Sequence, residues 1–311
     1  MKNILFVSDV KNWAFDITYQ GINKYLKSDL YYTSDEPRIT RDIIKQYDAV
    51  HFFNWLGAQE FAGMDNVSAG VCQWNHRIKW GDISPKYIGR LKKVVAISRM
   101  LEDDVKKLNP NTFYIPNAVD PDLFKAVEKE PEDEFVVSWV SQKTSGGFGE
   151  EKTGEGRKRW DIKGYGLILQ PLVERLKDQV TFKICSNDYS NAVPHEEMPR
   201  FYEDADCHIC TSLYEGGPFS VLEAAACGKA VVSTKVGIVP ELIQGDFIID
   251  PPHCRDDLPA VIDKFVEYIL YLKENRELCT LIGTLNRKEV EKAWTWEHVS
   301  KLWEELLCQK S

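Results

Sequence analysis

No apolar run in this 311-residue chain approaches the length needed to span a bilayer. A phosphate loop of the form G-x-x-x-x-G-K-[ST] is absent, and the GGFG of residues 146–149 is no dinucleotide fingerprint. These gaps argue against P-loop chemistry and against a nicotinamide oxidoreductase. Positive charge is also in short supply, with 39 Lys and Arg against 48 Asp and Glu and a formal net charge of −9. A broad nucleic-acid footprint needs clustered cations, so this balance disfavours one. The eight cysteines do not have the spacing of a disulfide framework. Cys185, Cys207, Cys210 and Cys227 lie in or beside apolar runs, where a thiol behaves as a small hydrophobe. The CHIC of residues 207–210 therefore reads as a strand and not as a redox or zinc motif. The opening MKNILFVSD starts a strand at once and carries no signal-peptide pattern. A reducing, cytoplasmic compartment is the expectation.

Short apolar segments alternate with helical periodicity, which implies parallel α/β sheets. Strands are expected at 4–8, 47–55, 68–74 and 93–98, and TFYIPNAVD at 112–120 reads as one more short strand and a turn; helices are expected over 14–27 and 99–109, the latter capped by Ser98. Lys86, Arg90, Lys92 and Lys93 read as a solvated helix face, with a polyanion-binding patch or weak peripheral membrane contact as the competing reading. Residues 118–134, AVDPDLFKAVEKEPEDE, are acidic and proline-rich and read as an interdomain linker. The α/β pattern then restarts at EFVVSWV, followed by a long glycine- and charge-rich loop. Two successive α/β halves imply two Rossmann-like domains facing each other across a cleft. The expected boundaries are 1–118, together with a final helix of about 295–311, and 119–294.

The stretch SLYEGGPFSVLEAAACGKAVVST, residues 212–234, concentrates the chemistry. Glu215 follows a strand end, the edge at which open α/β sheets bind ligands. Gly216, Gly217 and the helix start at Pro218 present backbone N–H groups and a positive dipole end, a setting suited to phosphate. Val221, Leu222, Ala225 and Ala226 give that helix an apolar face, and Gly228 stops it. Glu223 lies about 7–8 Å further along the helix and cannot touch the same atom as Glu215. A ligand with a central diphosphate and hydroxyls at both ends fits: Glu215 would meet a sugar and Glu223 a ribose. The competing reading makes Glu215 a dipole partner and Glu223 a solvated helix residue. Gly237 and Pro240 in KVGIVPELI repeat the glycine-turn and helix-start arrangement one strand along. Lys163, then Arg159, in RKRWDIKGYG are the candidate cations for a departing diphosphate.

With WDIKG, AISRM, IPNAVD, YEDADCHICTS and WTWEHVSKLW in order around it, the 212–243 segment resembles the signature of retaining nucleotide-sugar glycosyltransferases of family 4. The resemblance is strong over residues 93–311 and weak before them. It implies a GT-B fold, whose last helix, bearing Trp294, Trp296 and Trp303, crosses back to the N-terminal domain. It further implies donor-sugar contacts for Glu215, ribose contacts for Glu223, and diphosphate contacts for Lys163 and Arg159. The donor would be lined by Gly216, Gly217, Pro218, Phe219, Ser220, Val221, Glu223 and Gly237. His76 is the first candidate, and His51 the second, for a histidine near the reacting sugar. The first loop, SDVKNWAFD, departs from the family's glycine pair. The expected activity is transfer of a sugar from a UDP- or GDP-sugar to an acceptor hydroxyl, with no cofactor and no metal. The pairs Asp120/Asp122 and Asp204/Asp206 read as turn and helix-end residues. The acceptor class stays open among glycan, lipid, protein, small molecule and nucleic acid. The competing functions are a GT-B sugar-nucleotide epimerase and a nucleotide-sugar-binding module without turnover.

Overall fold

The computed structural model describes residues 2–9, 14–34, 38–72, 84–127, 134–142, 150–153, 156–159, 161–186 and 193–308. The chain divides into two compact units, Met1–Ala118 with Ala293–Ser311, and Val119–Lys292.

The first unit holds a six-stranded sheet: β1 (Asn3–Val7), β2 (Asp29–Thr33), β3 (Ala49–Phe52), β4 (Val67–Val71), β5 (Lys93–Ala96) and β6 (Thr112–Tyr114). Its order is β2-β1-β3-β4-β5-β6 and every neighbouring pair is parallel. Ile4–Val7, β3 and β4 are buried throughout, as strands covered on both faces must be. The sequence reading does not find β2. Its DLYYT is an edge strand with only partial burial, so no apolar run marks it. The helices are α1 (Ala14–Tyr25), α2 (Arg41–Ile44), α3 (Ser84–Ile88) and α4 (Arg99–Lys106). Ser98 caps α4, its hydroxyl accepting from the Leu101 N–H at 3.3 Å.

The last helix, Trp296–Cys308, belongs to this unit. A methyl group on Gly21 of α1 would fall 2.1 Å from the Trp296 ring, so a glycine is what lets the two helices touch. Trp303 stands edge-on to Phe6 and His51, with ring centres 5.8 and 4.6 Å away. Lys93 donates to the Leu306 carbonyl at 2.8 Å and Lys2 to the Leu307 carbonyl at 3.3 Å. Two ammonium groups thus meet the negative end of the helix. Of the basic run read as a solvated face, Lys93 is spent on this helix end, and Lys92 lies 3.4 Å from Asp65.

The second unit holds β7 (Val136–Ser141), a two-stranded antiparallel pair β8 (Glu150–Thr153) and β9 (Gly156–Arg159), β10 (Thr181–Ser186), β11 (Cys207–Cys210), β12 (Ala230–Thr234) and β13 (Ile248–Ile249). Five of these form a parallel sheet of order β10-β7-β11-β12-β13. Its helices are α5 (Gln170–Leu176), α6 (Met198–Glu203), α7 (Phe219–Ala226), α8 (Val239–Leu242), α9 (Leu258–Glu274) and α10 (Arg276–Ala293). A π-helical turn, Tyr165–Leu169, leads into α5. Pro171, which has no N–H to donate, falls in the first turn of α5, where helices tolerate it.

Two expectations change here. The long loop after β7 contains the β8–β9 hairpin, whose register sets Glu150 opposite Arg159 and Glu151 opposite Lys158. Strands of charged residues have no apolar alternation to reveal them. The supposed linker is also anchored over its first part. Phe124 is wholly buried, and the Arg287 guanidinium donates to the carbonyls of Pro121, Phe124 and Ala226.

Candidate functional site

In a sheet of order 2-1-3-4-5 the crossovers reverse between the first and third strands, here β7 and β11, and ligands bind beyond the carboxyl ends of those strands. Lys163 lies in the connection from β7 to α5, past the β8–β9 hairpin, and Glu215 follows β11. The two side chains meet there, the Lys163 ammonium donating to Glu215 Oε1 at 2.5 Å. Ser212, two residues past the end of β11, donates to the same oxygen at 2.8 Å. Both charged side chains are mostly covered, at 23% and 13% exposure.

The loop carrying Lys163 is built to a tight tolerance. Asp161 accepts from the backbone N–H groups of Tyr165, Gly166 and Leu167, fixing the start of the π turn. Gly164 has φ +69°, and a β-carbon there would lie 2.1 Å from the Thr211 carbonyl oxygen. Only a residue without a side chain fits both demands. Leu213 N–H to Ile162 O, at 2.7 Å, and the Thr211 hydroxyl to Lys163 O, at 2.9 Å, lace the two loops together.

Helix α7 begins after Pro218, which supplies no capping side chain. The first N–H groups of a helix have no carbonyl partner within it, so Phe219, Ser220 and Val221 carry the positive end of α7. All residues from Val221 to Ala226 are buried. Gly228, at φ +71°, ends the helix as its spacing predicts. Gly237 has φ +50°, and a β-carbon there would lie 2.4 Å from Gly216 O and 3.1 Å from Glu215 O. The second glycine turn therefore packs directly on the first.

Glu223 is not a solvated helix residue. It is 5% exposed, and its Oε2 accepts from the Tyr202 hydroxyl at 2.9 Å. Burial, reinforced by the Glu223 charge, pushes the Tyr202 hydroxyl well above the usual range. Its Oε1 lies 3.4 Å from His195 Nδ1. The sequence reading singles out neither Ser212, Asp161 nor His195. An aspartate four residues before a helical turn is the available signal for Asp161; the other two depend on tertiary approach.

The remaining candidates lie elsewhere. His76 and the SDVKNWAFD loop beyond Asp9 fall outside the described residues, apart from 14–16 in α1, and Arg159 is described only as backbone at the end of β9. His51 is buried among aromatic rings and hydrogen-bonds Ser68 at 2.9 Å; burial pushes its imidazole down to about 3. The Asp120 carboxylate accepts from Asp122 N–H at 3.0 Å in a turn. Asp204 meets Lys183 at 2.8 Å, and Asp206 accepts from Val136 N–H at 2.7 Å. Among the described residues, no group of three His, Cys, Asp or Glu side chains could hold a metal.

Two parallel sheets of this kind in one chain define the GT-B architecture, and solved structures share it. Anabaena HepE in complex with UDP matches with TM-score 0.72 at 14% identity, covering 99% of this chain and 100% of that one. Sucrose-phosphate synthase from Thermosynechococcus elongatus matches with TM-score 0.65 at 14% identity, covering 99% of each chain. In sequence, residues 170–289 match the family model described as glycosyl transferases group 1. A phosphatidylinositol N-acetylglucosaminyltransferase component of Arabidopsis thaliana is 26% identical over 207 residues, 61% of this chain and 42% of that protein. O-antigen chain mannosyltransferase B of Escherichia coli is 29% identical over 110 residues, 35% of this chain and 27% of that protein. The chain spans about two fifths of the length of the N-acetylglucosaminyltransferase relatives it matches.

Proposed function

We propose that this chain is a retaining glycosyltransferase that moves a sugar from a UDP- or GDP-sugar to an acceptor hydroxyl without a metal ion. The observation that carries this reading is the Lys163–Glu215 pair at the switch point of the second sheet, beside the start of α7. In the protein the two charges neutralise each other. With donor present, Glu215 turns to the sugar hydroxyls and Lys163 to the diphosphate, with Arg159 as the second cation. The departing diphosphate gains negative charge as the glycosidic bond breaks. An ammonium group and a helix N-terminus already aimed at it stabilise that charge without reorganising. The acceptor hydroxyl attacks from the face that the diphosphate leaves, giving its proton to a phosphate oxygen. Gly216 to Val221 and Gly237 line the donor, and Glu223 takes the ribose.

The relatives' names support a nucleotide-sugar donor: HepE is bound to UDP, and the curated matches are named for N-acetylglucosaminyl and mannosyl transfer. No helix among the described residues is long and apolar enough to cross a membrane. The test is turnover of UDP- and GDP-sugars with a pool of hydroxyl acceptors in EDTA, the product anomer being read by NMR. Strict dependence on added metal, or an inverted anomer, would overturn the corresponding part of the mechanism.

A further inference from the structure

Glu223 has two protein partners of different kinds. Tyr202 is fully buried on α6, its ring 5.6 Å from that of His208 and 6.4 Å from that of Phe124. Its hydroxyl sits at normal hydrogen-bond distance from Oε2. His195 lies on a three-residue turn, its side chain 30% exposed and its ring 5.2 Å from Phe124. At 3.4 Å from Oε1 it is beyond ordinary hydrogen-bond length and within reach of an ion pair. A buried carboxylate must satisfy both oxygens. Here one oxygen has a fixed partner from the core and the other a loosely placed partner at the surface.

Building on the nucleotide-sugar reading, we propose that His195 is a displaceable positioning residue: it covers Glu223 Oε1 in the nucleotide-free protein, and the vicinal diol of the donor ribose takes its place. The Tyr202 bond keeps the carboxylate aimed during the exchange. The diol brings two O–H donors and can reach Oε1 at a distance that His195 does not. The ring and the diol cannot both occupy Oε1, so His195 weakens ribose binding through this one contact.

The experiment is titration calorimetry at a single pH with UDP and GDP and with their 2′,3′-dideoxy counterparts, on the unaltered protein and on His195→Ala. The ratio of ribonucleotide to dideoxynucleotide affinity isolates the diol from the base and the phosphates. That ratio is expected to rise about three- to tenfold in His195→Ala, where the diol no longer has to displace the ring. A ratio that is unchanged or falls in the variant overturns the exchange while leaving nucleotide binding intact. Failure of every nucleotide to bind the unaltered protein overturns the donor reading and this inference with it.

Discussion

Glu215 owes its position to neighbours that hold it from two sides, the Lys163 ammonium and the Ser212 hydroxyl. Glu215→Ala is expected to bring transfer below detection while leaving UDP or GDP affinity within about twofold, because binding common to ground and transition states is untouched. Steady-state kinetics with parallel calorimetry checks this. Lys163→Ala removes a preorganised charge and should cost about 10²–10³ in kcat. Glu223→Ala should act on nucleotide affinity itself, the reverse of the Glu215 pattern. Tyr202→Phe leaves Glu223 Oε2 buried without a donor, at a cost of about 1–3 kcal/mol that a denaturant titration would read.

The elements that position these side chains are joined through bare backbone. Gly237→Ala would press a methyl group onto the Gly216 carbonyl at a left-handed backbone position. Donor affinity is expected to drop with little loss of fold, as calorimetry and thermal melting together would show. Gly21→Ala sets a methyl group inside the Trp296 ring and should lower stability by about 1–3 kcal/mol, with the change read in the tryptophan fluorescence of unfolding. Most strands are legible because burial on both faces demands unbroken apolar runs, as in ILFV at Ile4–Val7. The edge strand β2 and the charged β8–β9 hairpin answer to no such demand, and pattern reading passes over them. Likewise Lys163 and Glu215 can each be placed past a strand end from the sequence, but their meeting cannot. That depends on β7 and β11 pairing across some 70 residues of chain, as in Val137↔Cys207. For Glu223 the sequence leaves ligand contact and a solvated position both open, since its burial comes from the approach of 195–202 to α7.

Among the described residues, each unit carries one histidine sealed into its interior, His51 in the first and His208 in the second, and burial pushes both down to about 3. Folded, both rings stay neutral; unfolded, each binds a proton near pH 6.5. Stability from this source is therefore intact above pH 6.5 and drains as the pH falls toward 3, at about 1.4 kcal/mol per pH unit and per ring. Going from pH 7 to pH 5 should cost about 2 kcal/mol for each, read by urea unfolding. The imidazole NMR signals should remain those of the neutral form at pH 5. The second unit is one continuous stretch of chain, whereas the first is completed by residues 293–311. On a ribosome adding about 5–20 residues per second, the aromatic face of Phe6 and Phe53 thus waits on the order of twelve to fifty seconds for Trp303. The later-born unit can finish folding while the earlier one is still open, which makes the unfinished sheet the natural client of a holding chaperone during synthesis.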